Sequence, residues 1–249
     1  MIAGLAELRP DLVAFQEAVF SYGYNQAADL LGASFEYAHQ THRSGAETEG
    51  VVVASRWPIR AVDEVDLHVT SRTAGDACTA LVTEIEVAEA GDVLFVNHKP
   101  SWQRDFELER ELQAAAVARY LEQRVGERNL PVILAGDLDA EPASASVRFL
   151  TGRQSLGGTT ICYEDAWTTA RGSGHGPTWA SRNPLVAPED SDRRIDYIFL
   201  RRVADRRMLG IRDCRLCFDE PVDGTWVSDH FGVLADLEPR SARPSASAG

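Results

Sequence analysis

Lysine is almost missing from this chain: Lys99 is the only one among its 25 basic residues, and the rest are arginine. Basic residues are in turn outnumbered by 38 acids, giving a formal charge of −13. That balance argues against a protein held to nucleic acid by a broad basic face. It leaves room for an enzyme that handles phosphates through a bound cation, because a metal inverts the local charge. No apolar run approaches the roughly 20 residues needed to cross a bilayer, so no membrane segment is expected. The opening MIAGLAELRPDLVAFQE has no basic stretch followed by an apolar one, so it reads as no secretory signal and leaves the cytoplasm as the default compartment. Cysteine is sparse. Cys214 and Cys217 have C-x-x-C spacing, but no second pair or neighbouring histidine completes a zinc site. They sit in the alternating stretch RMLGIRDCRLCF, where a strand would turn the two sulfurs to opposite faces, so reduced thiols are expected.

What is present is an ordinary globular composition, 44% apolar and 25% charged over 249 residues. One domain is expected over residues 1–239, followed by a disordered tail, RSARPSASAG, over 240–249. Strand signals recur in GVVVASRWPI (50–59), TALVTEIEV (79–87), DVLFVNH (92–98), PVILAGD (131–137), RIDYIFLRR (194–202) and FGVLADLE (231–238). Wholly apolar stretches such as VILA point to strands covered on both faces. A helix is expected over 105–125 with Leu108, Leu112, Ala116 and Tyr120 on one stripe and Leu121 and Val125 beside it. Shorter helices are expected over Asn25–Leu31 and in SASVRFLTG (144–152), the latter stopped by Gly152. Residues 171–192 form a Gly-, Pro- and Ser-rich loop of a length that is often functional. Strands interleaved with a few long helices give an α/β fold with covered sheets.

Polar residues gather where these apolar strands begin and end. Glu17 closes DLVAFQE, Glu49 opens EGVVVAS, Asn97 and His98 close VLFVNH, and Asp137 and Asp139 close VILAGDLD. Asp196 lies in RRIDYIF, and Asp229 and His230 precede FGVLADL. Each alone reads as a turn, a cap or a satisfied core group. Together they are harder to dismiss, because a buried carboxylate costs several kcal/mol (roughly) unless it is paired or metal-bound.

The ordered set PDLVAFQE, EGVVVASRWPI, NH, GDLDAEPASAS, RRIDYIF and SDHFGV resembles the endonuclease/exonuclease/phosphatase superfamily, and the resemblance runs from Leu5 to Leu237. It implies a four-layer α/β/β/α sandwich of two mixed sheets and a divalent-metal-dependent phosphoesterase, with Mg²⁺ or Mn²⁺ as cofactor and a phosphate ester as substrate. In that resemblance Glu17 and Asp229 match metal-binding carboxylates, and Asp137 matches the residue that orients or deprotonates the attacking water. His230 matches a phosphate-facing histidine backed by Asp196, and His98 a second one, oriented by Glu49. Glu49 reads equally as a strand-edge charge, Lys99 as a solvated side chain, and Arg193 and Arg194 as phosphate ligands or surface ion pairs.

Two departures from the family pattern matter. Asp139 stands where the family carries a hydrogen-bond-donating asparagine. It is therefore protonated beside Asp137, neutralised by a cation, or aimed elsewhere; a metal-linked role is the expectation, since two carboxylates two residues apart share a side. The family's first strand, which ends in a metal-binding asparagine, is also missing, and a gap or an open edge in the sheet is expected in its place. These departures support an alternative reading, a catalytically weakened member acting as a binding or scaffold domain. The sequence leaves open diester versus monoester, nucleic acid versus smaller substrate, and the oligomeric state.

Overall fold

In the computed structural model the chain is described over residues 1–21, 23–44, 47–202 and 209–239; the expected tail, 240–249, lies outside the described residues. Twelve strands and five helices are assigned within them. The short helix α1 (Ile2–Leu8) leads into β1 (Leu12–Ser21), β2 (Tyr24–Asn25), α2 (Gln26–Leu31), β3 (Glu36–Ser44) and β4 (Glu47–Ser55). These strands form one sheet in the order β2-β1-β4-β3. Next come β5 (Ile59–Asp66), β6 (Thr79–Val87), β7 (Gly91–Lys99), α3 (Glu107–Val125), β8 (Val132–Asp137), α4 (Ala145–Leu150), β9 (Tyr163–Asp165), α5 (Ala166–Arg171) and β10 (Asp196–Arg201). Their strands form a second sheet, β5-β6-β7-β8-β10-β9, and β11 (Leu209–Cys217) pairs with β12 (Gly232–Pro239).

Alternation along the strands sorts side chains into layers. Leu94, Val96, Val132, Leu134, Tyr197 and Phe199 pack outward against α3 and α4. Val93, Phe95, Ile133, Ala135 and Leu200 pack inward against Val51 and Val53 of the other sheet. On that sheet's far face Ala18, Phe20 and Val52 cover Ala27 of α2. The result is the expected α/β/β/α sandwich. β7 and β8 run parallel, joined by α3 as a crossover helix, and the other pairs are antiparallel.

Helix α3 buries a different face from the expected stripe. Leu108 is 60% exposed and Leu112 40%, while Glu109, Arg110 and Gln113 are buried beside Ala114, Val117 and Ala118. The helix can turn this face inward because its polar groups are satisfied. Gln113 donates to the Leu67 carbonyl and to Ser101 Oγ, and Arg110 donates to the carbonyls of Ser101 and Gln103. These bonds fix the segment that leaves β7. Cys214 is buried and Cys217 half-buried, three positions apart on β11, as strand geometry requires.

β1 pairs with β4 along its length but with β2 only at Phe20 and Ser21. Among the described residues no strand runs beside its other edge from Leu12 to Val19, which is the open edge expected where a first strand is lacking. This stretch of β1, together with β12, lines a cavity of about 480 Å³.

Candidate functional site

The inward faces of β7, β8 and β10 converge at one end of the sandwich. Continuing the alternation from Ile133 and Ala135 brings Asp137 into the space between the sheets, and the same count back from Leu200 and Ile198 brings Asp196. The two aspartates are cross-strand partners in the β8–β10 register. Gly136 permits this approach: a Cβ there would lie 1.9 Å from the His98 carbonyl oxygen, so only a bare backbone lets β8 lie so close to β7.

On β1 the register breaks between Phe15 and Ala18, and Glu17 sits in the bulge with a left-handed φ of 55°. Asp139 has φ 50°, again left-handed. Such backbone costs on the order of 1 kcal/mol or more in a non-glycine residue, so the surrounding structure must hold it. Asn97, wholly buried, holds the bulge in place. It accepts from Gln16 Nε2 at 2.6 Å and donates to the carbonyls of Phe15 (2.8 Å) and Val52 (2.9 Å), tying β7 to both β1 and β4.

His230 Nδ1 lies 3.0 Å from Asp196 Oδ2. Burial alone would lower the imidazole's pKa, but the Asp196 charge and hydrogen bond, with Asp137 and Asp229 nearby, raise it to about 10, so His230 is a cation at neutral pH. One ligand atom from each of Asp137, Asp196 and His230 lies within 4.8 Å of the others, close enough to hold a metal ion. Glu17 and Asp229 are not part of this tight group, but both line the 480 Å³ cavity with it. A protonated His230 has no lone pair to offer a metal, so the donors here are the carboxylate oxygens, which suit Mg²⁺ in particular.

The long loop supports these groups. The buried Thr178 hydroxyl accepts from the backbone N–H groups of Ile195 and Asp196, and its carbonyl accepts from Phe231 N. Asn183 donates to the carbonyls of Ser228 and Asp229, pinning the SDH turn. The Trp179 ring meets His230 edge-on, centroids 4.9 Å apart. Nothing in the composition of this loop singled these three residues out; their role exists only once the loop is folded across β10.

Two sequence expectations change, and one left open is decided. His98 is not brought to the site: it lies on the opposite face of β7 from Asn97 and Lys99, fully buried with Nδ1 unpartnered, and burial lowers its pKa to about 4. Glu49 lines a small cleft of about 100 Å³ with Glu17, Lys99 and Trp102, and among the described residues no contact joins it to His98. Arg194 is buried in an ion pair with Asp165 at 2.8 Å, so it is unavailable to a phosphate.

Lys99 is the residue whose role the sequence hid. It is 6% exposed, with Nζ 2.5 Å from Asp137, 2.8 Å from Asp139 and 3.4 Å from Glu17. Burial opposes its charge, yet the three carboxylates outweigh burial and hold its pKa above the ordinary lysine range. Burial likewise pushes Asp137 upward, but Lys99 and His230 together hold it below the usual carboxylate value. For Asp139, burial and the neighbouring Asp137 charge prevail and its pKa is raised.

The sandwich matches known proteins. The model of the endonuclease/exonuclease/phosphatase family matches residues 2–230. Among solved structures, D. rerio TDP2 complexed with a single-strand DNA product is 20% identical, with a TM-score of 0.74 over 95% of this chain and 89% of that one. The human Nocturnin catalytic domain with bound sulfate is 16% identical, with a TM-score of 0.69 over 95% and 83%. An endonuclease/exonuclease/phosphatase protein of Beutenbergia cavernae is 20% identical, with a TM-score of 0.69 over 96% and 65%. No curated protein sequence matches. Identities this low speak for the fold alone, but the family match spans the strand ends that carry Glu17, Asp137, Asp196, Asp229 and His230, and the chain belongs to the endonuclease/exonuclease/phosphatase family, whose members are metal-dependent phosphoesterases.

Proposed function

We propose that the chain hydrolyses a phosphate ester by attack of water on phosphorus, assisted by Mg²⁺ or Mn²⁺. One observation carries this reading: Glu17, Asp137, Asp196, Asp229 and His230 line a single cavity, with His230 paired to Asp196. Glu17 and Asp229 would hold the metal, which would supply positive charge to stabilise the phosphoryl oxygens. Asp137, held ionised, orients the attacking water and draws off its proton. His230, held cationic, faces the equatorial oxygens, where negative charge must be met by fixed positive charge. Asp196 fixes the ring through Nδ1 and leaves Nε2 for the substrate.

The substrate in this reading is a small or single-stranded phosphate ester. A net charge of −13 disfavours long duplexes, and a basic face to track their backbones is not expected from the composition. The test is hydrolysis of a chromogenic phosphodiester and a phosphomonoester with Mg²⁺, with Mn²⁺ and with EDTA. Activity is expected only with metal and is expected to fall by about 10²-fold or more in Asp137→Ala and His230→Ala. Metal-independent rates, or unchanged variants, overturn the proposal. An inactive protein that shows no binding at millimolar metal points instead to the scaffold alternative.

A further inference from the structure

We infer that the Lys99 ammonium is a resident cation that fills the space among Glu17, Asp137 and Asp139, so that the site accepts a single exchangeable divalent ion on its Glu17 and Asp229 side. The inference rests on the proposed function for the existence of that metal, but its grounds are separate. Three carboxylates, from β1, from the end of β8 and from the turn beyond it, converge on one point, and Nζ occupies that point. An ammonium carries three hydrogens, and three carboxylates are within reach, so donors and acceptors match in number. The 2.8 Å contact to Asp139 is that of a charge-assisted hydrogen bond and the contact to Asp137 is shorter still, so the two closest pairings engage the buried Asp137 and the largely covered Asp139. The 3.4 Å contact goes to Glu17, whose side chain is 68% exposed and so the one free to turn towards the cavity and a metal.

A second metal at this point would need oxygens at about 2.1 Å in an octahedral shell. The tethered ammonium excludes it and supplies one positive charge in its place. Asp139 therefore need not be a metal ligand. Its carboxylate answers Lys99, while its backbone N–H donates to Asp137 Oδ1 at 3.2 Å and helps fix the base. Lys99 and Asp139 act on the reaction through Asp137, as positioning residues.

Mn²⁺ binding to the full chain, measured by electron paramagnetic resonance and calorimetry, tests this. The unaltered protein is expected to bind one ion. Lys99→Gln, which empties the space but keeps the three carboxylates, is expected to bind a second ion or to bind the first about ten-fold more tightly. Asp139→Asn is expected to leave Mn²⁺ affinity unchanged; a loss of about ten-fold or more would make Asp139 a ligand and overturn the inference. Two ions in the unaltered protein, or an unchanged Lys99→Gln, also overturn it.

Because Lys99→Gln leaves buried charge unbalanced, a measurement on the unaltered protein stands beside it. With one lysine in the chain, a ¹⁵N spectrum of lysine ammonium groups contains one resonance. It is expected to be protected from solvent exchange at neutral pH and broadened, without displacement, by one equivalent of Mn²⁺. A resonance lost to rapid exchange places the ammonium in bulk water and refutes the inference. If the unaltered protein binds no metal and cleaves no ester but Lys99→Gln gains a Mn²⁺ site, the functional proposal fails and the role of Lys99 stands. One bound ion and normal hydrolysis with an unchanged Lys99→Gln give the reverse.

Discussion

Truncating Asn97 to alanine tests how the fold holds the site. Its side chain is fully buried and makes three hydrogen bonds, to Gln16 (2.6 Å), Phe15 (2.8 Å) and Val52 (2.9 Å), that join one sheet to the other beneath the Glu17 bulge. A typical bond contributes about 1 kcal/mol net, and a buried group left unpaired costs about 1–3 kcal/mol. The Gln16 amide is partly exposed and regains water, whereas the Val52 carbonyl lies in a buried stretch of β4, so the sum is about 3 kcal/mol. For a domain of this size that lowers Tm by about 6–12 °C. Urea unfolding measures it, with an unchanged m value showing that the unfolded state is not altered. Gln16→Ala removes only the shared bond and should cost about 1 kcal/mol; the double variant should cost less than the sum, because the two residues share that bond. The functional consequence is weaker Mn²⁺ binding, since Gln16 directly precedes Glu17 in a backbone that is unfavourable without bracing. A loss below about 1 kcal/mol in Asn97→Ala, or strict additivity in the double variant, refutes this reasoning.

His98 and the cysteines give two further tests. The His98 imidazole titrates near pH 4 in the folded protein because burial disfavours its charge, and near 6.5 once unfolded. The stabilisation is therefore complete above pH 6.5 and is lost as the pH falls towards 4, amounting to about 3 kcal/mol. His98→Leu should flatten that part of the stability–pH profile while leaving ester hydrolysis unchanged; a parallel profile or a loss of activity refutes its placement away from the site. Among the thiols only Cys162 is exposed, and burial pushes Cys78, Cys214 and Cys217 up to about 11, 12 and 11. One thiol should react rapidly with a disulfide reagent at neutral pH and four after unfolding; a second fast thiol in the folded state contradicts the covering of Cys78, Cys214 and Cys217.

Strand ends were legible because apolar runs stop abruptly there. TALVTEIEV has the bounds of β6, and VILAGD, stripped of its proline, those of β8. Asp137, Asp196 and His230 follow from those ends directly. His98 did not, for a reason that lies in the same strand. VLFV is apolar on both faces, so composition does not say which parity faces the other sheet and which faces α3. Only pairing decides it. The β7–β8 register ends with Asn97 beside Ala135, and the same count carried two residues further arrives at Lys99 and Asp137, whose side chains pair. Counting back from Asp137 across the parallel pair would have chosen Lys99 over its histidine neighbour. α3 misled for a related reason: the stripe of Leu108 and Leu112 was sought by hydropathy, whereas the buried face joins small apolar residues to Glu109, Arg110 and Gln113, the last two satisfied by carbonyls of the segments that follow β5 and β7.

Lys99 and Asp139 were each anomalous in the sequence and explain one another in the fold. An aspartate in place of a neutral donor adds a charge beside Asp137, and a lone lysine in an arginine-rich chain adds a compensating charge of different shape. Shape is what distinguishes it. A guanidinium spreads its donors in a plane and pairs best with one carboxylate, edge to edge. An ammonium is compact and directs three donors apart, which suits carboxylates arriving from β1, from the end of β8 and from the turn beyond it. The one position where the chain abandons arginine is thus one where three acids meet at a point. The charge that makes Asp139 unlike the family's residue is balanced within 2.8 Å, so the departure leaves the reaction centre altered in its cation and intact in its electrostatics.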